Sequence, residues 1–119
     1  MQRVVPAIRI DDYQRSHHFY VGKLGFEVDW EWRHEPGQPV FMQISKAGLS
    51  LYLSEHAGDG ELGCLVYLYV SDVDAWHEQL LDAGLEVDGE PANQPWGNRE
   101  MRLSDPDGNQ LVFASVLPR

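Results

Sequence analysis

Apolar and polar residues alternate along most of this chain, and two stretches break the alternation with apolar residues recurring every three or four positions. Strict alternation predicts half-buried strands, and the longer period predicts amphipathic helices. The second helical stretch is the clearer of the two. Val73, Trp76 and Leu80 fall on one face, Ser71 and Asp74 have the spacing of a capping box, and Gly84 stands where a left-handed cap belongs. The first helix is expected to start near Asp11 or Asp12, to turn Phe19 and Tyr20 inward and to end before Gly25. Asp105-Pro106-Asp107-Gly108-Asn109 reads as a tight turn before a final strand, with proline presetting one dihedral and glycine taking a positive one. Lys46-Ala47-Gly48 has the same office earlier in the chain, less distinctly.

The chain also repeats itself. Ile8-Arg9-Ile10-Asp11-Asp12, a helix and Leu24-Gly25-Phe26-Glu27-Val28-Asp29 are echoed by Leu68-Tyr69-Val70-Ser71-Asp72, a helix and Ala83-Gly84-Leu85-Glu86-Val87-Asp88. Gly48-Leu49-Ser50-Leu51-Tyr52-Leu53 is echoed sixty residues on by Gly108-Asn109-Gln110-Leu111-Val112-Phe113. Each half therefore reads as strand, helix and three strands, the first over about residues 1–58 and the second over about 59–119, within one α+β domain. A length of 119 residues suits one core and is too short for two independent ones.

Strand parity separates two faces. Ile8, Ile10, Leu49, Leu51, Leu53, Val66, Leu68, Val70, Leu111 and Phe113 fall on one, which is wholly apolar and is expected to pack on the helices. The other carries Val5, Ala7, Arg9, Ser50, Tyr52, Ser54, Leu65, Tyr67, Tyr69, Gln110, Val112 and Ala114. That mixture of rings, hydroxyls and an arginine suits a wet cleft or a subunit interface better than a dry core.

Charge narrows the partners. Nine basic against nineteen acidic residues leave a formal charge of −10, which opposes binding to nucleic acid or to an anionic membrane and favours a cationic partner. The same acidity also serves solubility. No apolar run of secretory or membrane-spanning length occurs, so a cytoplasmic placement is expected. The single cysteine, Cys64, lies in an apolar run and reads as a buried thiol.

Paired modules with one helix-packed face and one open concave face resemble the vicinal-oxygen-chelate superfamily of glyoxalases, bleomycin-resistance proteins and extradiol dioxygenases. Gln94-Pro95-Trp96-Gly97-Asn98-Arg99-Glu100, followed by Asp105-Pro106-Asp107-Gly108-Asn109, is similar to the corresponding stretch of the bleomycin-resistance branch. Phe19-Tyr20 with Leu24-Gly25-Phe26 fits the wider superfamily. The resemblance implies a curved mixed sheet and a homodimer whose clefts form where a half of one subunit meets a half of the other. It also places the metal ligands of the superfamily's enzymes at Val5, Tyr52, Leu65 and Val112 here, where no histidine or carboxylate stands. No metal or other cofactor is therefore expected, and stoichiometric binding of a cationic glycopeptide antibiotic such as bleomycin is favoured, the alternatives being binding of another small ligand or metal-dependent lyase, isomerase or dioxygenase activity.

Beside the resemblance, the residues themselves nominate a binding surface. Trp96, between Pro95 and Gly97, is either a stacking platform for a planar ligand or packing over the sheet's end. Trp30 and Trp32 share a strand face that either lines the cleft or buries against a neighbour. Tyr52, Ser54 and Tyr67 belong to the open face, and His56 lies at its mouth, able to bond a ligand or to remain a solvated loop residue. Arg9 and Arg99 could orient a carboxylate or pair with local acids. No arrangement of nucleophile and base recommends itself as catalytic.

Overall fold

The computed structural model describes residues 4–118. Eight strands and two helical segments follow one another as β1 (Ala7–Arg9), α1 (Tyr13–His17), β2 (Glu27–Trp32), β3 (Phe41–Lys46), β4 (Leu49–Ser54), β5 (Leu65–Tyr69), α2 (Val73–Asp82), β6 (Ala92–Asn93), β7 (Asn98–Ser104) and β8 (Gln110–Val116). They form two four-stranded mixed sheets, β1-β4-β3-β2 and β5-β8-β7-β6, each with one parallel pair, β1 with β4 and β5 with β8. The β-α-β-β-β plan read from the sequence is thus present twice. Among the described residues no helix is long and apolar enough to cross a membrane.

The helix ends follow from their capping groups. Asp12 caps α1 by accepting a hydrogen bond from the Arg15 N–H at 3.2 Å, and Asp72 caps α2 by accepting one from Ala75 at 3.1 Å. The cap of α2 is thus Asp72 and not Ser71, because its carboxylate reaches the third residue on. After Tyr13–His17 the first helix widens into a π-helical turn, His18–Lys23, closed by Leu24 N–H donating to Phe19 O at 2.9 Å. The sequence Leu85–Asp88 forms no strand. The corresponding strand, β6, is only Ala92–Asn93, although Leu85 is buried and Val87 packs on the core.

The expected apolar face is the core. Ile8, Ile10, Leu51, Leu53, Leu68, Leu111 and Phe113 are buried with Phe19, Tyr20 and Trp76 from the helical segments, and Leu49, Val66 and Val70 pack on them from partly buried positions. Trp76 ties the halves together, stacked 4.9 Å from Phe113 and 6.3 Å from Phe26, with the Lys46 ammonium 4.5 Å over its ring.

Polar contacts reinforce that joint. The buried Asp105 carboxylate accepts from Tyr20 Oη at 2.7 Å, from Asn109 Nδ2 at 2.8 Å and from the N–H groups of Asp107 and Asn109 at 2.9 and 2.8 Å. Asn109 then donates to Arg9 O at 3.0 Å and accepts from the N–H groups of Gly63 and Cys64, both at 2.9 Å. Every polar atom of this side chain is satisfied, as burial demands. The Asp105–Asn109 turn therefore holds β1, the loop before β5 and the first helix in one network.

Candidate functional site

Cross-strand register fixes which side chains share the open faces. In the first sheet one row joins Ala7, Tyr52, Gln43 and Trp30, and the next joins Arg9, Ser54, Phe41 and Trp32. Simple alternation from Val28 would have sent both tryptophans to the core. A bulge between Val28 and Trp30 shifts the register by one residue and turns them outward. Trp30 is 40 % exposed, with its ring centroid 5.7 Å from Phe41 and 5.8 Å from Tyr52, while Phe41 and Tyr52 stand 5.1 Å apart. Trp32 meets His34 at 4.5 Å, and His34 faces His56 at 6.4 Å. The result is an aromatic slab with imidazoles at one end. The His56 Nε2 is buried without a hydrogen-bond partner among the described residues.

The second sheet is built differently. Its rows place Tyr67 with Val112 and Arg102, and Tyr69 with Ala114, Glu100 and Ala92. Val112 and Ala114 are buried and form a low floor, between walls made by Tyr67, Tyr69 and Trp96. Trp96 occupies the third position of a turn closed by Gly97 N–H donating to Gln94 O at 3.1 Å, and Gly97 holds a positive φ of 102°, which favours glycine.

Trp96 is 63 % exposed, yet the polar edge of its ring is fixed. Its Nε1–H donates to Glu100 Oε2 at 2.7 Å, and Asn98 Nδ2 donates to the same oxygen at 3.0 Å. Asn98 Nδ2 also lies 3.2 Å from Tyr69 Oη. Tyr67, Tyr69, Trp96 and Asn98 line an open, shallow depression of about 500 Å³, a volume in the range of small-molecule sites. Tyr67 and Trp96 also border a smaller cavity of about 270 Å³ lined by Asp88, Glu90, Glu100 and Arg102. A separate depression of about 390 Å³ near Lys46–Gly48 has no aromatic lining, and its lysine is committed to Leu24 O at 2.7 Å.

The candidate residues divide accordingly. Trp30, Trp32 and Tyr52 come together on the first sheet, and Tyr67 and Trp96 on the second. Ser54 does not reach the surface: it is buried, donates to Asp59 Oδ2 at 2.7 Å and accepts from His56 N–H at 3.1 Å, so its hydroxyl is spent on its own loop. Arg99 turns to the helix side of β7 and grips Asp74 of α2 at 2.8 and 3.0 Å, holding the Asp74 carboxyl below its ordinary pKa. Arg9 shares the row of Ser54 and Phe41, half-buried, and its guanidinium bonds the Ile10 carbonyl. Phe41, Asn98 and Glu100 escaped the sequence reading. The outward parity of Phe41 and Gln43, and of Glu100 against inward Met101 and Leu103, was the available signal.

The donor positions of the superfamily's metalloenzymes do not fit a divalent ion here. Val5, Leu65 and Val112 offer hydrocarbon and Tyr52 one phenol oxygen, and the strand register sets Ala7 beside Tyr52 and Tyr67 beside Val112, which adds no imidazole or carboxylate. Among the described residues no group of three or more His, Cys, Asp or Glu side chains is placed to share an ion. Cys64 is half-buried and its thiol is pushed up by desolvation and then by the charge of Asp105, the reverse of an activated nucleophile.

A family model described as glyoxalase superfamily protein matches residues 1–117. Among solved structures, the chain is similar to TnmS3, an antibiotic binding protein from Streptomyces sp. CB03234, at 29 % identity and a TM-score of 0.76 over 98 % of this chain and 97 % of that one. It is similar to a glyoxalase/bleomycin resistance protein from the same source at 30 % identity and a TM-score of 0.72, over 92 % of this chain and 96 % of the other. A bleomycin-binding protein complexed with bleomycin shares the fold at 20 % identity and a TM-score of 0.73, over 100 % of both chains.

Proposed function

Because the chain belongs to the glyoxalase superfamily, we propose that it binds a small molecule without metal and sequesters a planar, cationic antibiotic of the bleomycin kind. The observation that carries this reading is the exposed Trp96 ring, whose N–H is already satisfied by a buried carboxylate. A ring packed for stability would be covered. One held rigid and uncovered offers a stacking surface with little ordering cost left for the ligand to meet. The antibiotic-binding and bleomycin-binding proteins with which the chain shares its fold support the ligand class. So does the −10 charge, which draws a cation toward the protein at low ionic strength.

We propose further that two copies associate so that the aromatic slab of one protomer, Trp30, Phe41 and Tyr52, faces the cleft of Tyr67, Tyr69 and Trp96 on its partner. Two observations support this: both faces expose large rings, and no strand of one sheet pairs with a strand of the other within the described chain. Bleomycin titrated calorimetrically into the metal-free protein at low salt tests the ligand. Saturable binding of one antibiotic per site is expected, weakening as salt rises, and no heat at low salt refutes the reading. Light scattering tests the assembly, with a dimer at micromolar concentration expected and a monomer contradicting the shared cleft.

A further inference from the structure

We infer that Glu100 makes the second sheet's open face a receptor for an organic cation bearing N–H groups, of amidinium or ammonium type. The inference rests on the binding reading above and names the group that the site recognises. Glu100 is 8 % exposed, and its two carboxylate oxygens are treated unequally. Oε2 accepts from Trp96 Nε1 at 2.7 Å and from Asn98 Nδ2 at 3.0 Å. Among the described residues Oε1 accepts nothing, and Glu100 lines the 270 Å³ cavity that Tyr67 and Trp96 also border. That oxygen is not sealed from solvent, so water meets it in the free protein and a ligand donor would take the water's place.

Charge and rings decide what kind of donor. Asp88, Glu90 and Glu100 line that cavity against one guanidinium, Arg102, which makes no hydrogen bond to Glu100. The faces of Tyr67 and Trp96 attract positive charge, and a planar amidinium can stack on an indole while donating N–H to a carboxylate beside it. A bare metal ion is a poor fit, because the three carboxylates are not grouped to share one.

Benzamidine and its neutral isostere benzamide separate the cation from the ring. In the parent protein benzamidine is expected to bind about ten-fold more tightly than benzamide, measured from the shift of the Trp96 indole N–H resonance, assigned with Trp96→Phe. Glu100→Gln keeps an acceptor for Trp96 and removes the charge; it is expected to abolish the preference. Equal affinities in the parent overturn the inference, as does a preference that survives Glu100→Gln. Should Glu100→Gln fail to fold, the parent comparison decides alone, because a resonance moved by benzamidine and not by benzamide supports the inference and one moved equally by both sinks it. Bleomycin binding with no benzamidine preference would remove the cation receptor alone, whereas loss of bleomycin binding would remove the reading beneath it.

Discussion

The two halves repeat one strand order and present opposite kinds of open face. In the first half Trp30, Phe41 and Tyr52 lean on one another within 6 Å and close over their sheet. In the second half Tyr67, Tyr69 and Trp96 make no ring pair among the described residues, and they stand around a buried carboxylate and the small side chains Val112 and Ala114. Aromatic content alone does not make a site. What distinguishes the second face is that Trp96 and Tyr69 are anchored at their polar edges, by Glu100 and Asn98, instead of leaning on another ring. The repeat thus supplies a scaffold, and the divergence of its outward residues supplies a wall in one half and a cleft in the other.

Both faces rest on a common core, and the largest effect is expected there. Phe113→Ala removes the ring stacked on Trp76 and is expected to cost about 3–5 kcal/mol, read from chemical denaturation. A loss below about 1 kcal/mol would mean that the halves do not share that core.

The turns before the last strand of each half make the next test. Asp105→Ala strands Tyr20 Oη, Asn109 and two backbone N–H groups at once, and about 2–4 kcal/mol of destabilisation is expected. The same contact predicts alkaline sensitivity. Burial, then the charge of Asp105, raises the Tyr20 pKa well above 10, while the unfolded phenol titrates near 10, so the stability linked to it is full below pH 10 and is lost as pH rises beyond. Tyr13, pushed up to about 12 by desolvation and by its hydrogen bond to Glu31, acts in the same direction. Denaturation midpoints should fall from about pH 10 upward in the parent and fall less in Tyr20→Phe; identical slopes would remove Tyr20 from the account.

The smallest effect belongs to the first half's turn, which has no such network. Ala47 sits there at φ 52° and Gly48 at φ 83°, both left-handed, and an alanine is strained in that region. Ala47→Gly is expected to raise stability by about 0.5–1 kcal/mol, and a loss of stability would contradict the strain.

What was legible in the sequence was whatever periodicity encodes. The repeat, the helix-packed face and the caps at Asp12 and Gly84 follow from side-chain alternation, short acceptors and the backbone freedom of glycine. What was illegible depends on register and on partners distant in the chain. The bulge that turns Trp30 and Trp32 outward changes parity without any change of residue pattern. Arg99 lies three residues from Trp96 and yet serves α2, because neighbours along a strand face opposite ways. Ser54 lost its place on the open face to an aspartate five residues on. Nothing in the sequence pattern singles out Glu100, and only its burial and its bond to Trp96 set it apart.

The central claim is that the second open face is a binding surface, and Trp96→Ala tests it most directly when melting temperature and bleomycin affinity are measured on the same preparations. A stacking role predicts an affinity loss of about 1–3 kcal/mol by calorimetry with stability reduced by less than about 1.5 kcal/mol. A packing role predicts the opposite, a stability loss of about 3–5 kcal/mol with unchanged affinity in the fraction that remains folded, and that result would contradict the account.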